Sequence, residues 1–244
     1  MKNQVAFSLA ALALLARPAG AQDRDPKFKL FVDGVYAFKL DYTESRSFEE
    51  FTEIGSASVD YAQDAGPGFG VAFQWRFLQR LAVRGAFTYV MRDGTAHYDA
   101  SFPHPLYLNR PRSVGGEVPG LSEKETSVHF DLVFTGQAGR VDFSLFGGGS
   151  LIKVEAELLT SFTRNEVYPF DEVTVTAVGQ ATVSDTPFGF NVGAGADWRL
   201  SSRVAVGAQF FFSRAKAKLA TPSGGSLEID AGGPHVTLGV RLMF

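Results

Sequence analysis

The chain contains no cysteine. That excludes a disulfide framework, a thiolate metal site and a lipid-modified N-terminal cysteine. Histidine is nearly as scarce. His97, His104, His129 and His235 are the whole set, and they fall at no spacing that gathers three metal ligands or sets a nucleophile beside an oriented base. Beyond the first 21 residues no apolar run approaches the roughly 20 residues that a membrane-spanning helix needs. An excess of basic charge is missing too. The 23 Lys and Arg face 26 Asp and Glu, a formal net charge of −3. Without Lys2 and Arg17 the basic count falls to 21 against the same 26 acids, which gives nucleic-acid binding no support.

The N-terminus is the one continuous apolar stretch. Lys2 precedes an apolar core from Val5 to Leu15, Arg17-Pro18 interrupts it, and Ala19-Gly20-Ala21 offers small residues before Gln22. The pattern is that of a signal peptide over 1–21, and its apolar core is too short to cross about 30 Å of hydrocarbon. Residues 22–244 then form one exported domain.

That domain alternates with period two, the signature of strands. In the last segment Val236, Leu238, Val240, Leu242 and Phe244 share one face, with Thr237, Gly239, Arg241 and Met243 on the other. Phe69, Val71, Phe73, Trp75 and Phe77 alternate with Gly70, Ala72, Gln74 and Arg76. Val128, Phe130, Leu132 and Phe134 alternate with Ser127, His129, Asp131 and Val133. Leu81, Val83, Phe87 and Tyr89 oppose Arg84, Thr88 and Arg92. Leu30, Val32, Tyr36, Phe38 and Leu40 oppose Lys29, Asp33 and Lys39. Eight strand cores follow, at 28–42, 68–77, 81–92, 126–136, 140–153, 186–199, 203–216 and 232–244, each long enough for a tilted membrane strand. Connections alternate between short turns (78–80, 136–139, 200–202) and long loops (43–67, 93–125, 154–185, 217–231). Strands are expected to run on past the membrane near 154–162 and 173–183. The fold class expected is therefore all-β: an eight-stranded antiparallel up-and-down transmembrane barrel with short periplasmic turns and long extracellular loops.

Closure satisfies every backbone group in a medium without water, and eight strands leave an interior that side chains can fill. The inward face gathers Asp33, Gln74, Arg76, Arg84, Asp131, Asp142, Asn191, Asp197, Gln209 and Arg241. With both signs present, a filled polar core is expected and not an open channel. The segment from Trp75 to Val83 echoes that from Trp198 to Val206 at an offset of 123 residues. Both tryptophans fall at the turn-side interface, where indoles settle at headgroup level. Gly147-Gly148-Gly149, with Gly189, Gly193 and Gly195, reads as strand glycine for bending and close packing; no Lys-Ser/Thr follows to make a phosphate loop.

Signal peptide, amphipathic strands and the ending Val240-Arg241-Leu242-Met243-Phe244 together resemble the small outer-membrane barrels related to outer membrane proteins A, W and X. The likeness covers the mature chain and is one of architecture. It implies outer-membrane lipid as the surroundings, and a terminal signal at Leu238, Val240, Leu242 and Phe244 read by the barrel-assembly machinery. W-type barrels suggest binding or passage of small hydrophobic molecules, for which Phe48, Phe51, Phe102, Leu106, Tyr107, Phe162, Tyr168 and Phe170 would line the mouth. X-type barrels and their adhesive relatives suggest a surface or structural role through external loops, of which 93–125 carries His97, His104, Arg110 and Arg112. Catalysis is the least supported class: His129 lies near Asp131 in sequence, but that pair is no triad. No cofactor or metal is expected. A soluble lipocalin-like barrel shares the strand count and would turn the apolar faces inward, which the pattern alone does not exclude; the signal peptide, terminal Phe244, alternation of short and long connections and interfacial tryptophans decide against it.

Overall fold

In a computed structural model the structure describes residues 26–220 and 226–244. The expected signal peptide lies outside the described residues. Eleven strands form in chain order: β1 (Phe28–Ala37), β2 (Leu40–Glu50), β3 (Glu53–Gln63), β4 (Gly66–Arg76), β5 (Leu81–Phe102), β6 (Arg112–Ala138), β7 (Val141–Asn165), β8 (Thr174–Asp185), β9 (Phe188–Arg199), β10 (Val204–Ala220) and β11 (Ser226–Met243). Eight of them close a ring in the order β1-β4-β5-β6-β7-β9-β10-β11, all antiparallel, with β11 returning to β1 through Leu242 opposite Leu30 and His235 opposite Ala37.

The ring wears its apolar residues outside. Phe69, Phe73, Trp75, Phe130, Phe143, Phe190, Phe210 and Leu238 are all exposed, while Gln74, Arg84, Asp131, Asp142, Asn191, Asp197, Gln209 and Arg241 are buried within. Such inverted polarity suits hydrocarbon around a closed sheet and is the reverse of a lipocalin. The outward apolar band covers 28–38, 67–77, 81–91, 126–136, 141–151, 188–199, 204–212 and 234–244, and these are the membrane-spanning segments.

Much of what reads as long loop in the sequence is strand. β2 and β3 form a hairpin from Leu40 to Gln63 that takes up most of 43–67, β5 and β6 reach Phe102 and Arg112 within 93–125, and β7 and β8 extend through 154–185. The reason is a change of solvent. On β10 the outward residues pass from Val206, Phe210 and Phe212 to Arg214, Lys216 and Lys218, while the inward ones pass from Gln209 and Ser213 to Ala215, Ala217 and Leu219. Above the band the faces keep their direction and exchange their character. Outward residues now pair as Arg214–Asp230 at 2.7 Å and Lys216–Glu228 at 2.6 Å. Inward ones make an apolar core of Tyr61, Tyr98, Leu121, Ile152, Leu158, Leu159, Leu219 and Ile229.

Two strands also slip phase. β1 turns Phe31 and Val35 inward, but after Phe38-Lys39 the inward residues of β2 are Glu44, Arg46 and Phe48. β3 and β4 exchange parity in the same way across Asp64-Ala65. A one-residue slip sends every later side chain to the opposite face. Lys39, expected inside beside Lys29 and Asp33, therefore points outward and pairs with Asp64 at 3.0 Å.

Above the band the hydrogen-bonded ring is not closed. β2 pairs with β3 alone, and β11 beyond His235 pairs with β10 alone. Glycine matters where strands press together: a Cβ on Gly148 would collide with the Phe130 carbonyl of β6.

Candidate functional site

The lumen is built in layers, beginning at the turn end. Arg241 donates to Asp197 at 2.8 Å and to Asp33. Beside them Lys29 and Arg199 hold Asp142 at 2.8 and 2.9 Å. Next, Arg84 donates to Asp131 at 2.6 Å and to Gln209 at 3.0 Å, its guanidinium lying 3.6 Å over the Phe146 ring. At the upper edge Arg92 bridges Glu123 at 2.9 Å and Glu125 at 3.1 Å, with His235 3.7 Å from Glu125. Of the inward set read from the sequence, Asp33, Arg84, Asp131, Asp142, Asp197, Gln209 and Arg241 join these layers. Gln74 and Asn191 are buried in the lumen, and Arg76 lies half-buried at its turn end. Alternation already turns Arg92 inward, but it does not reveal Glu123 and Glu125, which lie 31 and 33 residues away on β6 and which only the register brings opposite. The cavity among Arg84, His129 and Phe211 is about 30 Å³, room for about one water.

His129 does not meet Asp131, whose carboxylate is taken by Arg84. Its Nδ1 lies 2.8 Å from Ser150 Oγ and its Nε2 3.4 Å from Thr88 Oγ1. This serine–histidine contact is buried and has no carboxylate on the far nitrogen. Trp75 and Trp198 close β4 and β9 and face outward, 47% and 54% exposed. Leu238 and Phe244 are exposed on the outer face, with Val240 and Leu242 half-buried between them.

At the extended end three hairpin tips meet. They are 51–52 between β2 and β3, 103–111 between β5 and β6, and 166–173 between β7 and β8. Arg112 joins two of them, 103–111 and 166–173. It is buried, and donates to the carbonyls of Pro103 at 2.7 Å and Phe170 at 3.1 Å and to Glu166 at 3.2 Å. His104 Nδ1 accepts the N–H groups of Leu106 and Tyr107 at 3.1 and 3.2 Å. Arg110 pairs with Asp171 at 3.1 Å, and the Asn109 N–H donates to Glu53 at 2.5 Å. The three tips are thus fastened to one another. His97, expected in a loop beside His104, sits on the outer face of β5 across from Glu117 instead. Among the described residues no three potential ligands gather around a metal.

What the tips display is apolar. Ile54 is 80% exposed, Tyr168 77%, Val167 70% and Leu108 69%, and Phe51, Leu106 and Tyr107 are about half exposed. Among the described residues, every non-glycine residue with positive φ lies here: Phe51 (50°), Thr52 (65°), Asn109 (55°) and Phe170 (69°). Such backbone costs about 1–3 kcal/mol per residue and collects at functional sites.

The aromatics expected at the mouth divide. Phe51, Leu106, Tyr107 and Tyr168 belong to the exposed tips, and Phe170 is half-buried there. Phe48, Phe102 and Phe162 instead line a cleft of about 760 Å³ beside the unpaired edge of β2, with Glu44, Arg46, Arg164 and the end of β11. Phe102, expected at the rim, is buried, with the Arg164 guanidinium over its ring at 4.6 Å. Under the cleft Arg46 donates to the Leu159 carbonyl at 2.5 Å, and the Tyr61 hydroxyl accepts the Leu159 N–H at 3.0 Å. Burial pushes the Tyr61 hydroxyl up to about 12. It therefore stays protonated and closes the floor between β3 and β7.

No protein-family model and no curated protein sequence matches the chain. Among solved structures it is similar to Neisserial surface protein A, with a TM-score of 0.50 over 89% of this chain and 97% of that one at 12% identity. The attachment invasion locus protein Ail of Yersinia pestis aligns at 0.42, over 89% and 99% of the two chains at 13% identity. The outer membrane protease OmpT of Escherichia coli aligns at 0.44, over 88% and 97% at 10% identity. The chain has the fold of the small eight-stranded outer-membrane β-barrels, and at such identities the likeness is one of fold alone.

Proposed function

We propose that this protein is a surface-recognition protein of a Gram-negative outer membrane. It is exported with residues 1–21 removed and inserted with its short turns in the periplasm, and it holds a partner on the three fastened tips. The observation that carries this reading is the exposure of Phe51, Ile54, Leu106, Tyr107, Leu108, Val167 and Tyr168 on tips bonded to one another. Exposed apolar residues gathered on tips that are bonded to one another mark an interaction surface. The tips carry Glu49, Glu50, Glu53, Glu166, Asp171 and Glu172 against Arg110, Arg112 and Arg164. A protein with an apolar face and a basic rim suits this surface better than an anionic membrane. Leu238, Val240, Leu242 and Phe244 serve as the signal for the barrel-assembly machinery, so Phe244→Ala should lower the yield of folded protein in cells.

The test displays the chain on a non-adherent bacterium and counts cells retained on a panel of immobilised extracellular proteins. Wild type should be retained on a basic member of the panel. The Ile54→Ser/Leu108→Ser/Tyr168→Ser variant should not be, while still showing the heat-dependent gel shift of a folded barrel. Equal retention of both would overturn the reading.

The cleft beside β2 favours a second reading, the binding of small hydrophobic molecules without passage. Saturable uptake of an apolar fluorescent probe, lost in Phe162→Asp, would support it. Uptake unchanged by that substitution would remove it.

A further inference from the structure

The turn end holds a second concavity, about 340 Å³, on the barrel axis. Lys27, Lys29, Arg76, Arg80 and Arg199 line it against a single carboxylate, Asp142. The sequence echo explains part of this. Trp75-Arg76 closes β4 and Trp198-Arg199 closes β9, strands four places apart in a ring of eight. Alternation sends each tryptophan to the lipid side and each arginine to the lumen, so the two arginines enter from opposite walls.

Asp142 is already engaged, by Lys29 at 2.8 Å and Arg199 at 2.9 Å. Arg76 and Arg199 are already partnered, whereas among the described residues Lys27 and Arg80 make no ion pair. The turns themselves, 77–80, 138–140 and 200–203, contain Arg80, Arg140 and Arg203 and no Asp or Glu. In a chain of net charge −3, the described residues lining the cup carry a surplus of basic side chains. Low-dielectric walls around a cleft with such a surplus focus its field.

We propose that this cup binds an oxyanion, a carboxylate or phosphate group, on a molecule approaching from the periplasmic side. Guanidinium forks match both groups in geometry. Gln79 and Gln137 on the lip add neutral donors. The cup opens inside the ring of strands and not on its lipid face, which favours a soluble or polymer-borne anion over a lipid headgroup. The filled lumen separates it from the tips, so it stands or falls independently of the surface role.

Trp75 and Trp198 face outward and are absent from the lining of the cup, so binding is read by isothermal titration calorimetry. Inorganic pyrophosphate is titrated into the mature chain refolded in neutral detergent. The response should saturate and weaken as salt rises. In Lys27→Gln/Arg80→Gln the affinity should fall about tenfold, as two exposed charge contacts allow, with the gel shift intact. Lys27→Arg should bind as wild type does. An unsaturable response, or a double variant that titrates like wild type, overturns the proposal. In phosphatidylcholine vesicles, added phosphatidylglycerol that abolishes the response makes lipid headgroups the source of the anion, and an unaltered response makes it soluble. Binding seen only in Asp23→Asn/Asp25→Asn would make the chain's own acids the occupant, and the proposal would fall.

Discussion

Arg84 on β5 stands in register with Asp131 on β6, and its Nε and Nη2 both donate to one carboxylate oxygen, at 2.9 and 2.6 Å. Both side chains are buried in the middle of the barrel. Removing one partner strands a buried charge, which costs about 3–5 kcal/mol. Arg84→Met should destabilise the refolded barrel by that order in urea titration. Arg84→Met/Asp131→Leu should recover most of the loss. If the double variant is as weak as the single, pairing is not what Arg84 supplies.

The two-residue tip Phe51-Thr52 adopts positive φ at both positions, the geometry that favours Asn-Gly. Phe51→Asn/Thr52→Gly should therefore raise stability by about 1–2 kcal/mol. The same change removes an aromatic from the tips, so retention on the partner should fall while the unfolding midpoint rises. A variant that gains in stability and binds undiminished would place Phe51 outside the contact.

Arg112 holds two tips to each other through Pro103, Phe170 and Glu166. Arg112→Ala should leave the membrane ring intact and loosen 103–111 and 166–173. Losing charge-assisted bonds of about 1.5–3 kcal/mol should speed limited proteolysis at those tips roughly tenfold or more. Unchanged cleavage with a normal gel shift would show that the tips are held by other contacts.

Glu123 lies above the membrane-spanning part of β6, and burial pushes its carboxyl up to about 7, against the opposing charge of Arg92. The unfolded chain loses this proton near the ordinary glutamate value of 4.5, whereas the folded chain keeps it until about 7. Folding therefore takes up a proton between those values, and the Glu123 contribution to stability declines as pH rises through the window. Glu123→Gln should flatten that decline when its unfolding curves at pH 5 and pH 8 are compared with those of wild type. Parallel pH profiles would show that Glu123 titrates as an ordinary carboxylate.

The ring was legible because a strand has only two faces. Once Val236 to Phe244 assigns apolar residues outward, alternation places Thr237, Gly239 and Arg241 inward without knowledge of their neighbours. The extension was harder to read because the same test fails where the solvent changes. His97 and Asp99 alternate with Ala96 and Tyr98 as regularly as Phe87 does with Thr88, but polar residues now face out. A reading keyed to outward apolar residues stops near Arg92 and assigns the remainder to loop. The phase slips at Phe38-Lys39 and Asp64-Ala65 hide β2 and β3 further. The tips had no local signal at all. Arg112 reaches Glu166 and Phe170 across 54 and 58 residues, a meeting that only the assembled strands create.

The exchange of polarity along each strand also makes the molecule a rivet. Withdrawing the extension through the bilayer would drag Arg214–Asp230 and Lys216–Glu228 into hydrocarbon. Lifting the ring into water would expose Phe73, Phe130 and Phe210. Neither water nor lipid alone is a good solvent for the whole chain. Its place and direction are therefore held from both ends: the tips cannot be drawn inward, and the ring cannot leave.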